Sequence, residues 1–281
     1  MARDLFERFI RASTIIVSAV ALSSAASVAR ADDAAQILKT ATDYLAGQKS
    51  ISATFDSDIE VITSDLQKIQ FASSGQFKLQ RPDKLRIKRT GGYVDAEMIY
   101  DGKMLTIYGN NAKSYVQAED SGTIDHIIDV LQSQAGGATP GADLLISRAY
   151  DELMANVTDA KHIGQGVIDG VECEHLAFRA VDTDWQIWIE TGSRPIVRKY
   201  VITSKTMAGA PQYTLRIKDW NTDAIADAEA FVFKPPADTI KVSLAPENLM
   251  QFDELPPGTA AGEKTATTGG TTTGSTAGEK K

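Results

Sequence analysis

Apolar and polar residues alternate with a period of two over two long parts of the chain. In the first part, residues 51–116, the alternation is broken where turns are expected, at Arg81-Pro82-Asp83 and at Asp101-Gly102. We predict a meander of five or six antiparallel strands there. The apolar positions that define the pattern are Ile51, Ala53, Phe55, Ile59, Val61, Phe77, Leu79, Leu85, Ile87, Met104 and Ile107.

The second part predicts further strands, separated by turn residues such as Asp169-Gly170. These strands are expected over residues 161–168, 171–180, 185–190, 196–204 and 213–220. A short apolar piece, residues 231–233, precedes two prolines. Because proline donates no backbone hydrogen bond, we predict that this piece closes the sheet at an edge.

Three segments show the helical spacing of apolar residues. Asp32-Asp33 can cap a first helix that ends at Gly47. A second helix is predicted over residues 123–131, with Ile124, Ile127, Ile128 and Leu131 on one face, and the loop 135–140 ends it. A third is predicted over residues 142–154, with Leu144, Leu145, Ala149 and Leu153 along one side.

The order of elements is a helix, a block of strands, two helices and a second block of strands. Such an order predicts an α+β domain in which a large antiparallel sheet carries helices on one face. We expect one domain, residues 32–257. Two small domains are the alternative, but neither block alone holds enough apolar residues to make a separate core attractive.

Both ends of the chain differ from this domain. An uncharged run over residues 12–28 follows three arginines, and Ala29-Arg30-Ala31 places small residues where a signal peptidase cleaves. We predict a secretory signal peptide, residues 1–31, cleaved before Asp32; an uncleaved membrane anchor is the alternative. Residues 258–281 have no large apolar side chain, so we predict a disordered tail.

Charge and cysteine content narrow the class of protein further. Removing the signal peptide takes away four basic and two acidic groups and changes the formal net charge from −8 to −10. Nucleic acid and anionic lipid surfaces repel so acidic a chain, although the basic stripe 78–89 could face an acidic partner. Cys173 is the only cysteine, so no internal disulfide forms and stability depends on the core.

Cys173, His175 and Glu172 are the one cluster that could carry catalysis. On a strand, Cys173 and His175 share a face while Glu172 and Glu174 lie on the other. Two ligands fall short of the three or four that a zinc site needs, and a buried Cys beside a half-exposed His is the plain structural interpretation. The sequence contains no serine-hydrolase, zinc-protease or nucleotide-binding motif, so we expect no metal and no cofactor.

Arg81 and Trp185 are candidate residues of a binding site. Arg81 is either solvated in its turn or lies at the rim of an apolar cavity and donates hydrogen bonds to carbonyls of a covering helix. Trp185 and Trp188 fall on opposite strand faces, and Trp185 either packs in the core or lines a pocket. The lid over that pocket would present Ile127, Ile128, Leu131, Leu144, Leu145 and Leu153.

One part of the chain resembles the LolA-like lipoprotein carriers of the bacterial periplasm. The resemblance rests on Gly75-Gln76-Phe77, which runs into Arg81-Pro82, and on the hairpin Asp101-Gly102-Lys103. In those carriers the arginine of the Arg-Pro pair latches a lid. The resemblance assigns this role to Arg81.

A second resemblance covers most of residues 35–241 and is to DUF2092, a family of predicted periplasmic proteins. It rests on residues 167–178, 184–190, 195–199 and 231–236. That family resembles the LolA, LppX and LprG superfamily, which implies a large curved antiparallel sheet, an open half-barrel, with helices covering its concave face and acyl chains bound between. The long second block of strands, Cys173 and the tail depart from LolA itself.

Three functional hypotheses follow. The first is a soluble periplasmic carrier or binding protein for an acyl-chain, lipid or lipoprotein ligand, without covalent chemistry and monomeric. The second is a protein-interaction or envelope-stress module of the same fold that binds an envelope protein. The third is a hydrolase built on Cys173, His175 and Glu172.

Overall fold

The structure, a computed structural model, describes residues 22–93, 95–134, 140–223, 227 and 229–244. The first helix and the first block of strands are α1 (Leu22–Gly47), β1 (Ser50–Ile62), β2 (Lys68–Gln80), β3 (Lys84–Gly91), β4 (Asp95–Tyr100), β5 (Met104–Gly109) and β6 (Ser114–Glu119). The middle of the chain forms α2 (Ile124–Gln134), a 3-10 turn (Ala142–Leu144) and α3 (Ala149–Met154). The later strands are β7 (Val157–Ile168), β8 (Val171–Ala180), β9 (Thr183–Glu190), β10 (Val197–Ser204), β11 (Gln212–Asn221) and β12 (Ile240–Lys241).

The described strands form one sheet in the order β12-β6-β5-β4-β3-β2-β1-β11-β10-β9-β8-β7. Neighbours are antiparallel except β12, which runs parallel to β6. The two predicted blocks of strands join where β1 pairs with β11, and Phe55 there lies opposite Ile217. Since β7 and β12 are separate edges, the sheet is open. The predicted α+β class, with a large antiparallel sheet and no closed barrel, is confirmed.

One face of the sheet, here called the core face, is buried under the helices. On β1 the residues Ile51, Ala53 and Phe55 are buried while those between them are half-buried, as the alternation of a strand requires. They join one core cluster with apolar residues of all three helices, such as Leu38 and Ile127. Burial of each large apolar side chain contributes about 1.5 to 3 kcal/mol, so this face supplies the stability.

The first helix begins earlier than predicted. It runs from Leu22 through Asp32 and Asp33, so the prediction that these aspartates cap it is wrong for the uncleaved chain. The residues before Asp32 are rich in alanine, which has the highest helix propensity and continues the helix. The predicted end at Gly47 is confirmed.

Several predictions about the chain ends stay predictions. Residues 1–21 and 245–281 lie outside the described residues, so most of the predicted signal peptide and the whole of the predicted tail from residue 258 are not described. Cleavage before Asp32 is likewise still a prediction. Of the helices that are described, none combines the length and the apolar character needed to cross a bilayer.

The predicted continuous helix over residues 142–154 is wrong. The chain forms the 3-10 turn and then α3, with turns between them. Arg81 Nη2 donates a hydrogen bond to Leu145 O at 2.8 Å, a carbonyl that a continuous helix would use for its own bonds. Ser147 N donates to the Asp125 carboxylate at 3.0 Å. Side chains from distant parts of the sequence therefore interrupt the helix.

Residues 231–233 do not form a strand, so the edge-strand prediction is also wrong. The Phe233 ring packs against Tyr108 and Tyr115, with ring centroids 5.8 and 5.0 Å apart. The segment thus covers the outer face of β5 and β6, the face opposite the core. Pairing with the sheet resumes beyond the two prolines, in β12.

The other edge strand, β7, is irregular. Its register with β8 shifts between Val157 and Asp159 and again between His162 and Gly164. Such shifts mark β-bulges, which bend a strand and interrupt its ladder. Ile163 is 55% exposed at the second of them.

Replacement of Ile127 tests how much the burial of α2 contributes to the free energy of unfolding. The residue is fully buried in the core cluster. We expect Ile127→Ala to lower the free energy of unfolding by about 2 to 5 kcal/mol, because it removes buried carbon and leaves a cavity. Ile163→Ala is the matched control and should cost about 1 kcal/mol or less, since Ile163 is exposed. Urea unfolding followed by circular dichroism measures both losses; equal losses would contradict the assignment.

Candidate functional site: an apolar cavity under a lid

An apolar cavity of about 310 Å³ lies between the core face and the segment that contains α2 and the 3-10 turn. Its floor is formed by the apolar residues Phe55, Phe77, Leu85, Ile87, Ala96, Met98, Ile107, Leu215, Ile217 and Trp220. Its roof is formed by Ile128, Leu131, Pro140, Gly141, Ala142, Leu144 and Leu145. Arg89 and Tyr213 are the polar residues of the lining on the core face, whereas Glu97, between Ala96 and Met98, faces the outer side of the sheet and pairs with Arg86 there. We call α2 together with residues 140–148 the lid.

Two local features shape the floor. A Cβ at Gly75 would come within 2.3 Å of both Phe55 Cζ and Lys88 O, so the Phe55 ring lies over the strand where no side chain would fit. Phe77 and Trp220 meet edge to face, with ring centroids 5.8 Å apart, a favourable arrangement of aromatic rings. The floor is therefore made by large rings held against the sheet.

Arg81 connects the end of β2 to the lid. Its side chain is 15% exposed, and Nη2 donates to Leu145 O at 2.8 Å while Nη1 lies 4.0 Å from Asp125 Oδ1. Burial lowers the pKa of Arg81, and Asp125 opposes this, so the guanidinium keeps its charge. The next residue also contacts the lid, because Pro82 O accepts a hydrogen bond from Ile124 N at 2.8 Å. This is the geometry of a latch, although a role for Arg81 in ligand exchange stays a prediction.

The two parts of the lid are also bound to each other. The Asp125 carboxylate on α2 accepts hydrogen bonds from Ser147 N at 3.0 and 3.1 Å and from Ser147 Oγ. Arg148 Nη2 donates to Asp129 Oδ1 at 2.5 Å. These charge-assisted contacts make the lid a unit.

Asp143 ties the 3-10 turn to β10. Tyr200 Oη donates a hydrogen bond to Asp143 Oδ2 at 3.3 Å. Asp143 Oδ1 is buried and has no hydrogen-bond partner among the described residues, although the residue as a whole is only half-buried. Burial raises the pKa of Asp143 to about 6, and the bond from Tyr200 partly opposes this. Burial also raises the pKa of Tyr200 well above its usual range.

The cavity brings together half of the residues predicted for a binding site. Those that line it are Ile128, Leu131, Leu144 and Leu145. Ile127 and Leu153 are buried in the core cluster and are not among the described residues of the lining. Trp185 stacks on Phe178, with ring centroids 3.9 Å apart, and meets Tyr200 edge-on at 5.8 Å, so it fills the core rather than the cavity wall.

The polar residues of the lining were missed by sequence reasoning. Arg89 follows Leu85 and Ile87 at alternate positions of β3, which places it on the core face. Tyr213 has the same placement on β11. The available signal was a polar residue at an inward position of a strand. Counting alternate positions from the apolar residues of β3 and β11 identifies both residues.

The Cys173 cluster does not have the geometry of a catalytic pair. Cys173 Sγ donates to Val171 O at 3.5 Å, and burial raises the pKa of its thiol, which disfavours the reactive thiolate. His175 instead hydrogen-bonds Gln186 through Nε2 at 2.9 Å and stacks on Trp188. Strand alternation places both residues on the outer face, away from the cavity. Within the described residues, no group of three or more His, Cys, Asp or Glu could hold a metal ion.

The fold and the cavity define an α+β protein whose open antiparallel sheet holds an apolar site beneath a helical lid. The chain belongs to DUF2092, a family described as predicted periplasmic proteins, whose sequence profile matches residues 34–245. The family predicted from the sequence is thereby confirmed. The predicted location in the periplasm agrees with the family's description.

No curated protein matches the chain, whereas several solved structures are similar to it. An uncharacterized conserved protein from Thermus thermophilus is 11% identical over 74% of this chain and 97% of that one, with a TM-score of 0.45. The Mycobacterium tuberculosis lipoprotein LppX is 14% identical over 70% and 99%, with a TM-score of 0.43. A MucA/MucB complex of Pseudomonas aeruginosa is 10% identical over 72% and 61%, with a TM-score of 0.39.

The raised pKa of Asp143 predicts how the free energy of unfolding changes with pH. Its pKa is about 6 in the fold and 3.8 in a model peptide, so the folded state holds the proton more tightly. The stabilisation is therefore complete below about pH 4 and is lost as the pH rises through about 6. Asp143→Asn cannot ionise, so we expect its free energy of unfolding, relative to wild type, to rise by on the order of 2 to 3 kcal/mol between those limits.

Urea unfolding of both proteins at acidic and neutral pH measures this difference. Asp151→Asn, at an exposed position of α3, is the matched control for the loss of one carboxylate. A difference between Asp143→Asn and wild type that stays constant with pH would contradict the burial of a carboxylate at this position.

Proposed function

We propose that the protein is a periplasmic, non-catalytic carrier or binding protein for a hydrophobic ligand with an acyl chain, such as a lipid or a lipoprotein. The observation that carries this proposal is the apolar cavity of about 310 Å³ between the sheet and the lid. Volumes of roughly 300 to 1,000 Å³ with an apolar lining are typical of ligand sites. Each methylene group transferred from water into such a site contributes about 0.8 kcal/mol.

The cavity is better explained by a ligand than by loose packing. Protein interiors are close-packed, and an empty apolar space lowers stability in proportion to its volume. The cavity here lies between large side chains, including Phe55, Phe77 and Trp220. An alkyl chain in this space would contact these side chains and remove them from water.

The contacts of the lid suit reversible opening. Residues 140–148 are attached through polar groups, among them Arg81 to Leu145 and Asp125 to Ser147. Water can replace such hydrogen bonds when the lid opens, which is why even a bond to a charged group contributes only about 1.5 to 3 kcal/mol net. Leu144, Leu145 and Ile146 of this segment are also buried in the core cluster, so opening must break apolar contacts as well as these hydrogen bonds.

The proposal treats residues 1–31 as a signal peptide, which is still a prediction. The hypothesis of a protein-interaction module also stays a prediction, and the experiment below separates it from the carrier. The geometry of Cys173 and His175 gives the hydrolase no support.

Native mass spectrometry of the protein purified from periplasm, followed by organic extraction, tests the proposal directly. We expect an added mass that matches a lipid, a fatty acid or an acylated protein. Leu131→Trp should reduce this loading and the binding of an added acyl ligand at least tenfold, because the larger side chain fills the cavity from α2. Val130→Trp, one residue away and outside the lining, is the control.

Two outcomes would count against a carrier. A clean apo mass from a protein that also refuses added acyl ligands would overturn the proposal and leave the interaction module as the better hypothesis. Equal loss of loading in Leu131→Trp and Val130→Trp would show that the cavity itself is not the site.

The hydrogen bond from Arg81 to the lid leads to a prediction for the rate at which a ligand dissociates. Arg81→Leu removes the hydrogen bond to Leu145 O, and we expect the ligand to dissociate about tenfold faster, which is the effect of one charge-assisted bond. Stopped-flow release of a fluorescent fatty acid measures this rate, and hydrogen exchange of residues 140–148 should rise in parallel. Arg179→Leu, with a 59% exposed side chain on β8, is the control. An unchanged release rate in Arg81→Leu would exclude a latch.

A further inference from the structure

Asp143 is an ionisable side chain within the lid. It lies in the 3-10 turn between Ala142 and Leu144, which both line the cavity, but Asp143 is not among the described residues of that lining. Its carboxylate meets β10 instead, where Tyr200 Oη donates a hydrogen bond to Oδ2 at 3.3 Å. A ligand in the cavity would therefore not contact Asp143, whereas movement of the turn away from β10 would expose the carboxylate to water.

The contacts of this carboxylate are fewer than a negative charge requires. An ionised carboxylate has about four sites that accept hydrogen bonds. Oδ1 of Asp143 is buried without a partner among the described residues, and the bond to Oδ2 is long for two oxygens. In the same part of the chain, no Lys or Arg forms an ion pair with Asp143. Because burial of an unpaired charge costs free energy, the closed lid favours the protonated form.

The groups around the carboxylate act on its ionised form in opposite directions. The hydroxyl of Tyr200 on β10 and the backbone N–H groups of Asp143 and Leu144 stabilise the ionised form. Burial opposes ionisation most strongly, and the negative charge of Glu152 on α3 opposes it further. The result is a pKa of about 6 for Asp143 in the closed lid. In water the same group has a pKa of 3.8, so opening of the lid releases the proton.

We propose that the protonation of Asp143 controls the lid, so that residues 140–148 stay closed while this carboxylate is neutral and open more readily once it is ionised. Opening exposes the ionised carboxylate to water and removes the cost of burying it. The other ionisable residue of this segment, Arg148, keeps its charge throughout. The opening itself does not depend on a ligand. Its effect on ligand exchange rests on the proposed function.

Hydrogen exchange of the amides of residues 140–148 in the unliganded protein measures the opening. After correction for the intrinsic exchange rates, the opening constant of the wild type, relative to that of Asp143→Asn, should rise about tenfold between pH 5 and pH 7.5. This factor follows from the pKa values of about 6 in the closed lid and 3.8 in water. The comparison with Asp143→Asn removes the contributions of other groups that titrate in this range, such as His126 on α2.

Two further variants should move the midpoint of this pH profile in opposite directions. Tyr200→Phe removes a hydrogen bond that stabilises the ionised form, so the midpoint should rise. Glu152→Gln removes a negative charge, so the midpoint should fall. A purely structural role of either residue would change the opening without moving the midpoint. Asp151→Asn, at an exposed position of α3, is the matched control and should leave the midpoint unchanged.

Three outcomes would overturn the control by Asp143. They are the same pH profile in the wild type and Asp143→Asn, midpoints that do not move in Tyr200→Phe and Glu152→Gln, and exchange of residues 140–148 no faster than that of the buried residues Leu176 and Ile187, which report global unfolding.

Release of a fluorescent fatty acid from the wild type and Asp143→Asn then tests the effect on ligand exchange. The release rate of the wild type, relative to Asp143→Asn, should also rise about tenfold between pH 5 and pH 7.5, since release requires the same opening. An unchanged ratio would overturn the effect on exchange. If the lid responds to pH but the fatty acid does not bind, the carrier proposal fails and the control of the lid by Asp143 stands.

Discussion

The pairing of β1 with β11 is the constraint on which the rest of the structure depends. Each block of strands closes through short hairpins, whose loop-closure entropy is small, but this pair joins residues far apart in sequence, such as Phe55 and Ile217. Its formation places both apolar faces on the same side, and their joint burial offsets the entropic cost. Since α2 and the 3-10 turn lie between the blocks in sequence, they cross this seam. The cavity is found there for that reason, with β1 and β11 both in its floor.

Two kinds of contact hold the helices and residues 140–148 over the pairing of β1 with β11. Apolar contacts hold α1 and the inward side of α2, and such contacts are lost only when the core opens. Polar contacts from Arg81, Asp125 and Tyr200 hold residues 140–148, and water can replace them one at a time. The same segment also contributes Leu144, Leu145 and Ile146 to the core cluster, so polar and apolar contacts together hold it over the apolar space.

Sequence reasoning succeeded where the signal was local and failed where a distant partner decided the outcome. Alternation placed the strands because inward and outward positions differ along a single segment. It could not show that Arg81 would take the carbonyl of Leu145 and end a helix 64 residues away. It also took the apolar residues 231–233 for a strand, whereas Phe233 covers Tyr115 on the outer face. Half of the predicted site residues line the cavity. Helical spacing identified which side of each lid segment faces the sheet, but it could not identify the strands that this side would lie against.

The irregular edge at β7 has a consequence for the behaviour of the protein in a crowded compartment. An open sheet exposes unpaired backbone groups at its edges, and a regular edge strand is a template on which another chain can add. The shifts of register near Val157 and His162 break that template. At the opposite edge, the two residues of β12 leave too short a strand to extend. The irregularity of one border and the brevity of the other therefore leave another chain little regular edge on which to add.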